Sequence, residues 1–293
     1  MTDSTDEPTS PRPVDATLEN SLREIGIPPR PTILDRISRE MMQDQPDYHR
    51  LSNVISADVA LGASLIKTAN SPFFGYRSRV RSINEALMML GLDVASRAIA
   101  GIILRQAFPA SPQFVRFWDA SARIARLSGW LAQYVGNHRL RADDAYTFGL
   151  FRDCGIPILQ MRFPDYQKVL ARANAELQLE FTVIEEAQLP TNHAMVGCLL
   201  TRDWWLPEEV SLAIRHHHDA AVIATPSFTP PLTSRYRIAI AQLAEYLLQR
   251  HTGLSHTCEW TKLGTACLRL LGIAEHELDA VVSESAHVIE AED

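Results

Sequence analysis

Apolar residues recur every three or four positions along most of this 293-residue chain, and this spacing constrains the fold more than any other feature. One run contains Leu61, Leu65 and Ala69, and another contains Leu90 and Val94. Such spacing places apolar side chains on one face of an α-helix, whereas a half-buried strand requires strict alternation. We find no convincing alternating run. The pattern therefore predicts an all-α protein.

Two breaks divide the helical pattern. The segment 70–82, NSPFFGYRSRVRS, contains Pro72 and Gly75, which stop a helix, and it predicts a loop packed down by its aromatic rings. The proline-rich segment 225–231, TPSFTPP, predicts a surface loop before the last three helices. Beyond the first loop we predict helices at about 113–136, 141–153, 164–178, 192–204, 207–218, 232–251, 259–271 and 275–290.

The composition of the chain also bears on its cellular location. The first 22 residues are polar, acidic and proline-containing, which predicts a disordered tail and not a secretion signal. Arginines such as Arg97 and Arg105 interrupt the longest apolar stretches, so we expect no membrane-spanning helix. The four cysteines form no C-x-x-C pair, which argues against a disulfide framework and a structural zinc site of cysteines. We therefore expect a cytoplasmic protein.

Charge and motif content exclude some functions. The net charge is −7, which disfavours non-specific attraction to the phosphates of nucleic acids, although a local basic patch is compatible with it. The chain contains no G-x-x-x-x-G-K-[ST] phosphate loop, so nucleotide hydrolysis by that route is excluded.

Several segments, in the same order and spacing, resemble HDOD domains, which are relatives of the HD-type phosphohydrolases. They are ISADVALGASLIKTANSPFFG at 55–75, SINEALMMLGL at 82–92, FWDASARIARLSGWLA at 117–132, GLFRDCG at 149–155, HAMVG at 193–197 and LPEEVSLAIRHHH at 206–218. The resemblance implies a two-lobed helical fold, in which an N-terminal helical bundle packs on an HD-like helical lobe. It also implies a role in bacterial signal transduction, without a demonstrated common reaction.

The resemblance suggests a division of the chain into four parts. After the tail at 1–22, we expect the N-terminal helical lobe at 23–110 and the HD-like lobe at 111–224. The residues at 225–293 are expected to form C-terminal helices that complete the HD-like lobe.

The metal ligands of HD-type phosphohydrolases are not all present in this chain. The resemblance places Arg152 and Asp153 at the His-Asp pair, Ala120 at the first histidine, and Gln242, within IAIAQLAEYL at 238–247, at the last aspartate. A guanidinium group has no lone pair for a cation, and its charge repels one. We therefore expect no metal, no cofactor and no catalysis. The guanidinium of Arg152 either takes the place of the cation and pairs with Asp153 or a neighbouring polar group, or it reaches solvent.

Three histidines remain at vestigial positions of this site. His193 begins a predicted helix, whose N-terminus favours a neutral imidazole, and its ordinary role would be that of a packed first-turn residue. Helical spacing points His217 into the core and rotates His216 and His218 away from it. Cys154 is expected to be a buried structural cysteine rather than a nucleophile.

The loop at 70–82 offers a possible surface for a ligand or partner. Arginines beside aromatic rings can bind a phosphorylated ligand or single-stranded nucleic acid through charge and stacking, and solvated arginines beside buried rings are the alternative. The residues concerned are Asn70, Phe73, Phe74, Arg77, Arg79 and Arg81.

These observations lead to three hypotheses for function. The leading one is a non-catalytic regulatory protein that acts through a signalling protein or a small ligand. The second is a residual metal-dependent phosphohydrolase that acts on nucleotides or cyclic dinucleotides. The third is a nucleic-acid-binding regulator, which would be distinguished by a salt-dependent affinity and which the acidic net charge does not lead us to expect.

Overall fold

The computed structural model describes residues 24–76, 78–136, 140–225, 230–254 and 256–290, and its regular elements in these ranges are helical. The all-α prediction is therefore confirmed. A 3₁₀ turn at Glu275–Glu277 precedes the last helix. The helices are α1 Thr32–Met41, α2 Tyr48–Ser56, α3 Val59–Ala69, α4 Ile83–Gln106, α5 Pro112–Tyr134, α6 Ala142–Phe151, α7 Gly155–Arg162, α8 Tyr166–Ala175, α9 Phe181–Glu186, α10 His193–Asp203, α11 Glu208–His216, α12 Ala220–Ala224, α13 Leu232–Thr252, α14 Glu259–Leu271 and α15 Leu278–Glu290.

The N-terminal part of the fold is built from α1 to α4. Three of these helices begin after a side chain that accepts a hydrogen bond from the first turn, namely Asp47, Asp58 and Ser82. Such caps satisfy amide groups that have no partner inside the helix. Helices α1, α2 and α3 all pack against α4.

Helix α4 is the longest apolar helix of this part. By length and composition alone it would be able to cross a membrane, but 56% of its most apolar window is buried inside the protein. Gly91, with φ of 74°, bends it, and Arg97 within it pairs with Asp143 and Asp144 of α6. These are features of a core helix. The sequence analysis expected no membrane-spanning helix because of Arg97 and Arg105, but the helix that contains both is long and apolar enough by composition alone.

The second part is organised around α5, α6 and α13. Helix α13 packs against α5, α6, α11 and α14, while α10 lies between α7 and α11. Buried apolar residues from Ile27 to Ile289 form one continuous cluster, so α1–α4 and the later helices share a core. The boundaries proposed for the lobes stay predictions.

Most predicted helices are present, but three short ones were missed. Helices α7, α9 and α12 contain between five and eight residues, too few to establish a helical period in the sequence. The predicted break at 70–82 is confirmed, because α3 ends at Ala69 and α4 begins at Ile83. The predicted tail and most of the predicted loop at 225–231 lie outside the described residues.

Candidate functional site

Four side chains from three parts of the chain converge in the second half of the fold. Asp153 lies between α6 and α7, His193 is the first residue of α10, and His217 and His218 follow α11. The approach of α7 to α10 depends on Gly155, because a Cβ atom built there would lie 2.1 Å from the carbonyl oxygen of His193. We refer to Asp153, His193, His217 and His218 as the His/Asp cluster.

The ligand atoms of the His/Asp cluster point at one another. Nε2 of His193 lies 3.2 Å from Nε2 of His217 and 3.1 Å from Nε2 of His218. Oδ1 of Asp153 lies 3.2 Å from Nε2 of His217 and 3.6 Å from Nε2 of His193. All four atoms are within 4.8 Å of each other.

The other ring nitrogen of each histidine already has an acceptor. Nδ1 of His193 lies 2.8 Å from Glu185, and Nδ1 of His218 lies 2.5 Å from Glu259. Nδ1 of His217 lies 2.7 Å from the carbonyl oxygen of Ile214. A carbonyl oxygen can only accept, so we assign the proton of His217 to Nδ1.

The two glutamates also accept from other donors. Glu185 receives hydrogen bonds from the hydroxyl of Tyr166 and from the backbone N–H of His193, and Lys262 forms an ion pair with Glu259. Both glutamates are therefore best described as carboxylates, which assigns Nδ1–H to His193 and His218 as well. The three Nε2 lone pairs then face one another and a carboxylate oxygen.

A positive charge at the centre, either a cation or an added proton, would stabilise such an arrangement of acceptors. Four lone-pair donors at 3.1–3.6 Å from their neighbours cannot hydrogen-bond to one another without an added proton. In a tetrahedral zinc site with bonds of about 2.0 Å, adjacent ligand atoms are about 3.3 Å apart. The His/Asp cluster therefore has the donor types that suit one divalent cation, and four of its six ligand-atom distances lie near this spacing.

The charges around the cluster also favour a bound cation. Within the described residues, the carboxylates of Asp153, Glu185, Glu245 and Glu259 form ion pairs with two permanently charged side chains, Arg152 and Lys262. Two negative charges are left, which one divalent ion would balance. Buried charges of one sign are costly unless they are compensated.

The pKa values of two histidines move in opposite directions. Burial lowers the pKa of His193, but the charge and hydrogen bond of Glu185 and the charge of Asp153 outweigh it, so the pKa is raised. Burial, together with the charges of His217 and His193, places the pKa of His218 well below its ordinary value. The expectation from the helix N-terminus left out the two carboxylates, which act on the pKa of His193 in the opposite direction.

The prediction that His218 points away from the core is wrong. Its side chain is buried, stacks on Phe181 with ring centroids 4.6 Å apart, and directs Nε2 into the cluster. Helix α11 ends at His216, so helical spacing does not apply to the two residues after it. His216 is partly exposed and stays outside the cluster, as expected.

Arg152 is buried beside the cluster. Its side chain is 4% exposed, with Nε 2.9 Å from Asp153 and Nη2 2.6 Å from Glu245. Burial alone would lower the pKa of the guanidinium, but the charges of Asp153 and Glu245 outweigh this and raise it. Arg152 therefore forms an internal ion pair and does not reach solvent. That its guanidinium takes the place of a cation stays a prediction.

The remaining vestigial positions supply no ligand. Ala120 lies in α5 and packs on the core. Gln242 is buried in α13, where its amide group donates to Glu245. Cys154 is buried, and burial together with the charge of Asp153 raises the pKa of its thiol, which agrees with a structural cysteine.

The loop at 70–82 is held by its own side chains. Asn70 donates to and accepts from the backbone of Val80, and Phe73 stacks on Tyr146 at 4.6 Å. Phe74 packs edge-on against Phe73. These three residues therefore shape the loop. Arg79 and Arg81 are exposed, and Arg77 lies outside the described residues.

The sequence analysis missed the two glutamates that orient the histidines, Glu185 and Glu259, and it missed Glu245, which pairs with Arg152. Glu185 lies in a helix too short to predict, and Glu259 and Glu245 come from distant helices that only the tertiary fold brings to the site. The prediction that no metal binds rested on the number of lost ligands. It stays a prediction, and the geometry does not favour it.

Comparisons with known proteins identify the family. Residues 27–220 match the model of the HDOD domain. An HDOD domain protein of unknown function from Geobacter sulfurreducens superimposes with a TM-score of 0.63 and 22% identity, over 93% of this chain and 98% of that one. A protein from Shewanella amazonensis SB2B, named a candidate phosphohydrolase, superimposes with a TM-score of 0.64 and 17% identity, over 93% and 95% of the two chains. At these identities the likeness shows the fold alone.

A sequence relative comes from Treponema pallidum (strain Nichols). This uncharacterized protein is 29% identical over 197 residues, which cover 66% of the present chain. The match spans only 38% of the length of the relative.

Proposed function

The chain belongs to the HDOD domain family, and from this premise we propose that it is a non-catalytic regulatory protein whose His/Asp cluster holds one divalent cation as a closed structural centre. The observation that carries the proposal is the convergence of three Nε2 atoms and Oδ1 of Asp153, with Nδ1 of every histidine already engaged. Histidines that bind metal commonly donate their second N–H to a carboxylate or carbonyl oxygen.

The same geometry supports a structural rather than a catalytic role. Structural zinc sites are filled by four protein ligands, whereas catalytic sites keep a position open for water or substrate. Here four protein atoms already form a complete set, and the three histidines are at most 6% exposed. When bound, the cation would supply positive charge and would link the connection between α6 and α7, the start of α10 and the end of α11.

Arg152 argues against a second cation of the kind used by HD-type phosphohydrolases. Its guanidinium bridges Asp153 and Glu245, so that a positive charge is already fixed next to the cluster. A second cation there would face direct repulsion, about 4 kcal/mol for two unit charges 4 Å apart at an effective dielectric of 20. Three imidazoles and one carboxylate favour zinc over magnesium or calcium, which prefer oxygen ligands.

The first experiment is elemental analysis of the protein purified without chelator. We expect about one zinc ion per chain in the natural protein and a loss of most of it in His193→Ala. His216→Ala is the matched control, because His216 belongs to the same triplet but lies outside the cluster. Metal-free natural protein that also fails to take up added zinc would overturn the structural centre.

A phosphodiesterase assay addresses catalysis. We expect no hydrolysis of bis(p-nitrophenyl) phosphate above the background of His193→Ala, with zinc, manganese or iron added. Metal-dependent hydrolysis that disappears in His193→Ala would instead favour the second candidate, a residual phosphohydrolase. That candidate is favoured only by the convergence of the cluster itself.

The wider role belongs to the same proposal. A module without catalysis would act in the cytoplasm through a signalling protein or a small ligand, and neither a membrane nor nucleic acid is expected to be its target. The net charge of −7 supports the last point.

A further inference from the structure

A large groove lies away from the residues of the His/Asp cluster. It has a volume of about 1630 Å³ and is lined by α3, the 70–82 loop, the end of α4 and the first half of α5. The lining residues that the structure describes include no aspartate or glutamate, and among them are Lys67, Arg79, Arg81, Arg105 and Arg126. A protein with a net charge of −7 therefore has a groove lined by one sign of charge, which concentrates anions.

Three of these cations are available to a ligand. Lys67, Arg79 and Arg81 are exposed, and within the described residues no ion pair joins them to an acid. Arg105 is only half-buried and pairs with Asp119 across the surface. Charge-assisted hydrogen bonds from arginine forks are the usual means of holding phosphate.

The inner wall of the groove adds a donor and aromatic surface. The indole N–H of Trp118 has no hydrogen-bond partner in the described part of the chain, although the side chain is only 4% exposed. A buried donor without a partner is costly and favours a ligand that carries an acceptor. Tyr76 and Phe108 offer ring surface in the same groove.

From these features we infer that the groove binds a phosphorylated small molecule that carries a flat ring, of which a nucleoside diphosphate is the simplest example. The arginines would hold the phosphates, and the aromatic side chains would contact the ring. Pockets for small ligands commonly measure about 300–1,000 Å³, so the groove has room for such a molecule.

The charge distribution selects a small ligand over a long one. A nucleic acid would extend beyond the groove, and the net charge of −7 disfavours its contact with the rest of the protein. A small molecule would contact the basic lining alone. The inference names a ligand class for the proposed regulatory role, and it does not depend on a cation in the His/Asp cluster.

Calorimetric titration with ADP tests the inference. We expect binding that weakens at least thirtyfold in the double variant Arg79→Ala/Arg81→Ala and that weakens as salt is raised. The matched control is Arg116→Ala/Arg172→Ala, which removes the same charge from exposed positions outside the groove. No binding of ADP, or an equal loss in the control, would overturn the inference.

Further titrations test which chemical groups of the ligand the groove recognises. Trp118→Phe keeps a ring but removes the N–H group, and we expect it to weaken ADP severalfold. Inorganic pyrophosphate should bind more weakly than ADP if the ring contributes. Tighter binding of hexaglutamate or of a thymidine decamer at 0.15 M salt would replace the inference with a peptide or a nucleic acid site.

A last arm separates this groove from the His/Asp cluster. The affinity for ADP is measured with zinc-loaded protein and after zinc removal by a chelator. Equal affinities are expected, whatever the outcome of the metal analysis. Binding that requires zinc would place ADP at the cluster and would contradict the inference.

Discussion

At the scale of the residue, Arg152 determines the charge balance of the site. Its guanidinium, 4% exposed, joins Asp153 of the His/Asp cluster to Glu245 of α13 and donates to the carbonyl oxygen of Ala241. A histidine at this position would offer a lone pair, whereas arginine offers only donors and a fixed charge. The substitution therefore changes a potential ligand into part of a permanent ion pair.

Removal of Arg152 should destabilise the protein. Arg152→Met is expected to lower the free energy of unfolding by about 3–5 kcal/mol, because Asp153 and Glu245 would be left as buried charges without their partner. Urea denaturation measures the change. The double variant Arg152→Met/Glu245→Gln should recover part of the loss, and a cost below about 1 kcal/mol for the single variant would contradict the internal pair.

Glu259 should tune the affinity for the cation without supplying a ligand. It accepts from Nδ1 of His218, so Glu259→Gln is expected to weaken zinc binding about 10–100-fold while about one site per chain remains. Competition with a chromophoric chelator gives the affinity. Glu208→Gln, at an exposed position of α11, is the control and should leave the affinity unchanged. Equal affinities for the two variants would argue against the proposed centre.

Sequence reasoning found the site residues that belong to local motifs and missed those that depend on contacts between distant segments. Arg152, Asp153, His193 and His217 follow from motifs within single segments. The direction of His218 was missed because the helical period ends at His216. Orienting glutamates were missed because their partners lie up to 41 residues away, and no local pattern reports such a contact.

At the scale of the element, the site depends on how closely α7 approaches α10. Gly155 begins α7, and its missing side chain allows the backbone of His193 to lie against it. Helix α7 itself was not predicted, since eight residues with apolar side chains on several faces carry no clear period. The long helices α5 and α13 were predicted because each carries its period over more than five turns.

Gly155→Ala tests this approach. The new Cβ atom would meet the backbone of His193 at 2.1 Å, so α7 or α10 must shift, with a cost of about 2–3 kcal/mol and weaker zinc binding. Gly101→Ala is the matched control in α4, where the nearest contact is the flexible end of Leu150. Thermal unfolding and zinc affinity are measured for both variants. If the two glycines tolerate alanine equally, the close approach does not position His193.

At the scale of the whole molecule, one buried network joins the two halves of the fold. Arg97 of α4, 5% exposed, pairs with Asp143 and Asp144 at the start of α6, and Arg237 of α13 also reaches Asp144. The apolar core is continuous across the same boundary. The sequence predicted two packed lobes, but no periodicity indicates which charged residues from different lobes meet at their junction.

This junction should make the whole fold sensitive to acid. Burial alone would raise the pKa of Asp143, but hydrogen bonds from Arg141 and the charge of Arg97 outweigh it, so the folded pKa lies below the ordinary 3.8. A lowered pKa means that the stabilisation is present above the unfolded value and is lost as the pH falls from about 4 toward the folded value.

Urea denaturation between pH 5 and pH 3 tests this dependence. The free energy of unfolding should fall more steeply with decreasing pH for the natural protein than for Asp143→Asn. At pH 5 the free energy of unfolding of Asp143→Asn should be lower by about 1 kcal/mol. Asp44→Asn, at an exposed position near the end of α1, should reproduce the natural slope. Because Arg97 joins α4 to α6, the fluorescence and helical signals of the natural protein should be lost together on acidification; parallel slopes for Asp143→Asn and the natural protein would mean that the junction is not what acid weakens.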